Sequence, residues 1–386
     1  VVVAGRLELA TLVDRHDAVA LLGGGGEQRD EAALGRVARK YGQASVVDPS
    51  REQVAVLQDA CDHARNTGCD GDIAWAEYWL GFILYGLGDS RRAIGHLRAA
   101  VSAADVTGDD ALRNTAMATF AQTLAASCDY DRALPILEDV ISKRRLFRRP
   151  GRPAVVLAYT LACRAFVHGD QGNFDDAYRD LEEAMEVLAG VEHESTAAIL
   201  TIRCAVYIWQ GRFEEAHELA RHSRSIAERI RARYIYVNCR SLAAFPAWCL
   251  TGEDDHLDEI EMATNWLMQT GREQFSSLNH GWLAHGRAMQ GRWREARRHA
   301  ARAFVRARKG DRLGEAMSAR AMARVAAQGH ARQSAAYYLG LAERSARLRK
   351  SSHETAQNQI CAAELGLRVH QQADRAPVWD TVQGGG

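Results

Sequence analysis

Six residues, Gly291-Arg292-Trp293-Arg294-Glu295-Ala296, have close copies at Gly211-Arg212-Phe213-Glu214-Glu215-Ala216 and at Gly172-Asn173-Phe174-Asp175-Asp176-Ala177. A worn copy reads Cys128-Asp129-Tyr130-Asp131-Arg132-Ala133. In each, a small residue stands five places before Ala and an aromatic stands three places before it. Glycine tolerates the left-handed backbone that ends one helix. Polar residues then start the next. The aromatic wedges between the two helices, and Ala lets them approach closely. The pattern is the turn of a helical hairpin, and the hairpin recurs.

Counting from the Ala, equivalent positions are Gln53, Ala93, Ala133, Ala177, Ala216, Leu257, Ala296 and Ala335, with spacings of 40, 40, 44, 39, 41, 39 and 39. A second apolar or small residue follows four places on at Leu57, Leu97, Leu137, Leu181, Ala220, Ala300 and Leu339, with Glu261 the exception. Many units add a third at Ala60, Ala100, Val140, Ala184, Ala303 or Ala342. This i, i+4, i+7 stripe is that of a helix buried along one face, and strand-like alternation is absent. The long interval holds Lys143 to Pro153 with two prolines, which predicts an extended loop. Its basic density does not extend into a continuous track. Pro246 falls inside a first helix and predicts a bend or break near Phe245-Pro246.

At 386 residues the chain is long for one globular core. A repeat array escapes that limit, because each unit contacts only its neighbours. Six prolines favour helix, and a formal net charge of zero gives no global field toward nucleic acid or anionic lipid. The 8 Cys include no Cys-x-x-Cys and read as reduced thiols of a cytoplasmic protein. No apolar run is long enough to span a bilayer. Residues 1–50 read as irregular helices with a Gly23–Gly26 connector that lacks the Gly-Lys-Ser/Thr of a phosphate loop. The repeat array covers 51–345. A capping helix, roughly Ser351 to His370, and a frayed tail fill 346–386. The chain opens Val1-Val2-Val3 without Met and reads as a piece of a longer protein.

The hairpin pattern resembles the tetratricopeptide repeat (TPR) over roughly residues 50–345, one unit reading Leu80-Gly81, Leu84-Tyr85, Gly88, Ala93, Leu97, Ala100. The period departs from the roughly 34 residues of that family. The resemblance implies an all-α, right-handed superhelix of about seven to eight hairpins, an α-solenoid. A closer resemblance is to the C-terminal helical-repeat region of bacterial proteins that join a class III adenylate/guanylate cyclase, an AAA-type ATPase and TPRs. It rests on Trp75-Ala76-Glu77-Tyr78-Trp79-Leu80-Gly81-Phe82, Arg152-Pro153-Ala154, Leu278-Asn279-His280-Gly281-Trp282-Leu283-Ala284 and Asp311-Arg312-Leu313-Gly314-Glu315-Ala316-Met317. Neither cyclase carboxylates nor Walker motifs occur here, so any such catalysis would lie in parent domains.

In TPR arrays the free face of each first helix lines a concave groove. That face would carry Trp75, Tyr78, Trp79, Phe82 and Tyr85 in one unit, Tyr159 and Phe166 in another, then Trp209, and finally Trp282 with His285. These aromatics suit an apolar helix or peptide, though they equally fill gaps between hairpins. No chaperone-tail clamp is discernible, and Arg320 and Arg324 stand isolated. Of 14 His, none forms His-Glu-x-x-His; His217/His222 and His280/His285 are five apart, the wrong spacing for a helical metal pair. No metal, cofactor or catalytic residue is expected. The expectation is a non-enzymatic scaffold or regulatory domain in bacterial signal transduction, partnered by a protein or peptide segment or by its own parent domains. A small-molecule sensor and self-association as a homodimer are the alternatives.

Overall fold

The computed structural model describes residues 51–367 except 147, 149, 150, 189, 192 and 193. The expected N-terminal helices, Gly connector and C-terminal tail lie outside the described residues. Within them the chain forms sixteen helices. A single helix, α1 (Arg51–Thr67), precedes hairpin I, α2 (Asp70–Gly86) and α3 (Ser90–Thr107). Hairpin II is α4 (Asp110–Ala126) and α5 (Tyr130–Leu146); III is α6 (Val155–Gln171) and α7 (Phe174–Val187). Hairpin IV is α8 (Glu194–Gln210) and α9 (Phe213–Arg229); V is α10 (Arg233–Thr251) and α11 (Asp254–Gln269). Hairpin VI is α12 (Ser276–Met289) and α13 (Trp293–Arg308), and VII is α14 (Glu315–Gln328) and α15 (Arg332–Arg349). A last helix, α16 (Ser352–Glu364), lies against hairpin VII. The fold is thus the expected all-α solenoid.

The turn chemistry holds at every hairpin. Gly88 and Gly172 take left-handed backbone, φ 76° and 89°, and Gly211, Gly252 and Gly291 do the same. The worn copy keeps the conformation without glycine: Cys128 has φ 64°, and His330 serves hairpin VII at φ 56°. Second helices bury one stripe, as in α3, where Ala93, Leu97, Ala100 and Ala104 are buried and the polar residues between them face out. First helices are enclosed on most sides; in α2 every residue from Ala76 to Leu80 is buried. Each first helix packs on its own partner and on the hairpins before and after it. A glycine on the first helix sets the spacing. A Cβ on Gly81 would stand 2.7 Å from Leu97 Cγ, and one on Gly286 would stand 2.7 Å from both Leu257 methyls.

Three expectations need correction. Of the bend or break expected at Pro246, the break is absent: helix α10 is continuous through it. Ala243, Ala244, Phe245 and Ala247 are all buried, and burial of this stretch works against the roughly 3 kcal/mol a mid-helix proline costs. Glu261 interrupts the apolar stripe because cations reach it: Arg298 at 2.7 Å and the buried Arg287 at 3.6 Å. Arg320 and Arg324 are not isolated. The capping helix supplies Glu354 and Asn358 to Arg320, and Glu364 to Arg324 at 2.6 Å. That helix is also shorter than expected, ending at Glu364.

The array curls until distant hairpins touch. Buried Arg306 of α13 donates to the Gly88 carbonyl at 2.6 Å, to the Glu273 carbonyl at 3.1 Å and to the Glu273 carboxylate at 3.1 Å. The Arg91 amide donates to the Lys309 carbonyl beside it, at 3.0 Å. A Cβ on Gly88 would fall 2.5 Å from Arg306 Nη2 and 2.6 Å from the Gln274 nitrogen. The turn of hairpin I therefore seats on the loops flanking hairpin VI. A second contact joins hairpins II and III to the α15–α16 turn. There Asp170 accepts from Tyr130 at 2.5 Å, Arg349 at 3.1 Å and Ser351 at 3.0 Å, and Lys350 pairs with Asp131. Burial works against the Arg349 charge, but Asp170 and Glu354 hold its pKa well above the usual value.

Arg306→Ala takes the cation away from buried Asp311 and half-buried Glu273 and is expected to cost about 3 to 5 kcal/mol. Small-angle scattering should show a larger radius of gyration with helical circular dichroism retained; an unchanged radius and melting midpoint would rule the contact out as a clasp. His330→Gly relieves an exposed left-handed position and should raise the midpoint by about 1 to 3 °C. A lowered midpoint would mean that the imidazole stabilises the turn.

Candidate functional site

Curling places the free faces of six first helices around one cavity of about 120 Å³. Helix α2 contributes Tyr85, α4 contributes Gln122, Ala125 and Ala126, and α6 contributes Tyr159, Cys163 and Phe166. From α8 come Thr201 and Ile202, from α10 Tyr234 and Asn238, and from α12 Asn279 and Trp282. The floor is made by Gln274, Phe275 and Leu313, on the loops either side of α12 and α13 that the Arg306 contact holds. None of the lining residues is Asp, Glu, Lys, Arg or His.

The polar groups in this wall are neutral. Burial pushes the hydroxyls of Tyr85, Tyr159 and Tyr234 well up, so each stays protonated. Tyr234 donates to the Gln274 carbonyl at 3.2 Å. Burial likewise pushes the Cys163 thiol up and leaves it unreactive. One carboxamide nitrogen, Asn279 Nδ2, is buried with no partner at hydrogen-bonding distance. Phe275, held left-handed at φ 60°, packs its ring 6.0 Å from Phe166.

Of the sequence-predicted groove residues, Tyr85, Tyr159, Phe166 and Trp282 line the cavity. Trp209 backs it, packed edge-on to Phe166 at 5.2 Å and stacked on His353 of α16 at 5.5 Å. Trp75, Tyr78, Trp79 and Phe82 form a separate cluster on α2, with Tyr78 and Trp79 buried and their rings 4.9 Å apart. His285 sits edge-on to Trp248 at 5.7 Å, away from the lining. Sequence reading missed Tyr234, Asn238, Gln274, Phe275 and Asn279. Tyr234, Asn238 and Leu242 follow i, i+4, i+8 along a first helix, and Asn279 precedes Trp282 by three, so their shared face was readable. Nothing in the sequence marks Gln274 and Phe275, which reach the cavity only because the loop is clasped.

The eight cysteines are free thiols, and among the described residues no cluster of His, Cys, Asp and Glu has the makings of a metal site. No described helix is long and apolar enough to cross a membrane. The sequence profile of the tetratricopeptide repeat family matches residues 156–231, which span hairpins III and IV. Among solved structures, the chain is similar to a Rap protein complexed with competence and sporulation factor: 13% identity, 76% of this chain and 82% of that one covered, TM-score 0.55. It is also similar to aspartyl phosphate phosphatase F from Bacillus subtilis, at 9% identity, 92% and 99% coverage and TM-score 0.44. No curated protein matches. The chain contains a TPR-like helical-repeat region.

The histidines have structural employment. His217 Nδ1 donates to the Ala243 carbonyl at 2.9 Å, and buried His280 and His299 face each other, Nδ1 to Nδ1, at 3.3 Å. Burial, then neighbouring arginines, lower His280 to about 3. Burial, then His280 and the arginines, lower His299 to about 3. The unfolded chain takes up these protons near pH 6.5, as free imidazoles do, whereas the folded chain takes them up only near 3. Stability from the pair is therefore complete above about pH 6.5 and falls as pH drops toward 3, by about 1.4 kcal/mol per unit for each group. Melting midpoints of the His280→Gln/His299→Gln variant should depend less steeply on pH over that window than those of the parent. Identical slopes would show that the pair does not carry the acid sensitivity.

Proposed function

We propose that this chain is a non-catalytic regulatory module of a bacterial signalling protein that takes up a protein or peptide segment along the inner face of its coil. The carrying observation is that six successive first helices converge on one uncharged surface rich in rings and carboxamides. Such a surface suits an apolar segment: its side chains fit between the rings, and the amides meet its main chain. The Rap protein of similar fold is complexed with competence and sporulation factor, a precedent for a bound partner on this architecture. The partner is a separate chain or, following the resemblance carried by residues 75–82 and 311–317, the cyclase and ATPase domains of a longer parent.

Random-peptide display against the purified chain is expected to enrich segments with an uncharged aromatic or aliphatic anchor. Asn238→Ala should weaken those binders about tenfold, the scale of one buried hydrogen bond, with little change in melting midpoint. Thr201→Arg, which sets a cation in the wall, should weaken them further. Binders indifferent to both substitutions, or a library that yields none, would remove the basis of the reading.

A further inference from the structure

The cavity that the clasped loops close is a site in its own right. We propose that it binds a small uncharged ring compound that offers a hydrogen-bond acceptor. Three observations select that chemistry. The first is charge: the lining holds no ionisable carboxylate, ammonium, guanidinium or imidazole, so an ionic ligand would be buried unpaired. The second is size: about 120 Å³ is close to the roughly 150 Å³ apolar cavity that admits benzene in another protein. The third is an orphan donor. Asn279, 5% exposed, presents Nδ2 without a partner. Native interiors seldom leave such a donor unmet, and a carbonyl or hydroxyl oxygen on the ligand meets it. Phe166, Phe275 and Trp282 supply the faces for the ring.

A compound so held touches Tyr85 of hairpin I and Asn279 of hairpin VI at once, so its binding energy favours the closed coil. The inference shares the inner face with the proposed function but does not require a protein partner, and the two tests read separately.

The probes are benzamide, toluene and benzoate, with the full chain followed by melting midpoint and tryptophan fluorescence. Benzamide is expected to raise the midpoint at millimolar concentration, toluene to do so more weakly, and benzoate to have no effect. Asn279→Leu should lower benzamide affinity about tenfold, to the level of toluene, whose own binding persists. Ala126→Phe, which fills the space, should abolish both; Ala205, which also lines the cavity from α8, serves the same purpose as Ala205→Met if the larger side chain prevents folding. The inference is overturned if benzoate matches benzamide, or if filling the cavity leaves benzamide binding intact. It is equally overturned if no probe binds, the cavity then holding water only. Peptide binders found without benzamide binding would sink this inference and leave the preceding one standing.

Discussion

Two helices can lie this close only where one of them presents almost no side chain. That constraint recurs about every forty residues, at Ala93, Ala133, Ala177, Ala216, Ala296 and Ala335, all of them buried. The first helices thin out as well, opposite leucines of the second helices, with Gly81 against Leu97 and Gly286 against Leu257. A bulkier residue at either place would push the helices apart and expose the leucines that hold them. The left-handed turn five residues before each alanine follows from the same closeness, because helices packed so tightly leave little length for a connection. Position outranks residue type there, since Cys128 and His330 adopt the conformation that five glycines adopt elsewhere.

Stacking alone would make an open ribbon. Two arginines make it a closed coil. Arg306 and Arg349 are each almost fully buried; Arg306 joins hairpin VI to hairpin I, and Arg349 joins hairpin VII to hairpin III. Buried cations of this kind are tolerated because every charge has an acceptor in place: main-chain carbonyls and Glu273 for one, Asp170 and Glu354 for the other. The cavity is a product of that closure. Its walls are first helices, which any solenoid would provide, but its floor is loop, and the loop stands there because Arg306 holds the carbonyl of Glu273.

The division between what the sequence discloses and what it conceals follows the same line. Local rules were legible: the turn, the stripe, the hairpin count, and the inner position of Tyr85, Tyr159, Phe166 and Trp282 all rest on contacts between neighbours. What escaped the reading came from partners that spacing does not show. Arg320 looked isolated because Glu354 and Asn358 lie on a helix that joins it only in three dimensions. Glu261 looked like an error in the stripe because Arg287 and Arg298 approach from the next hairpin. Trp79 had the spacing of a groove residue, yet it is buried in a cluster with its own helix neighbours. Periodicity assigns a face but cannot say whether that face meets open space or another part of the chain.

The bond from Arg306 to the Gly88 carbonyl joins residues 218 positions apart. In an ordinary solenoid the terminal unit frays first and each loss is local, so denaturation spreads inward by degrees. Here unit I cannot peel away without tearing the seat of unit VI, and the middle hairpins are bracketed between them. The molecule then has reason to melt as one cooperative body despite being assembled from repeats. A pull applied at its two extremities would be borne by a buried guanidinium rather than shared along the row.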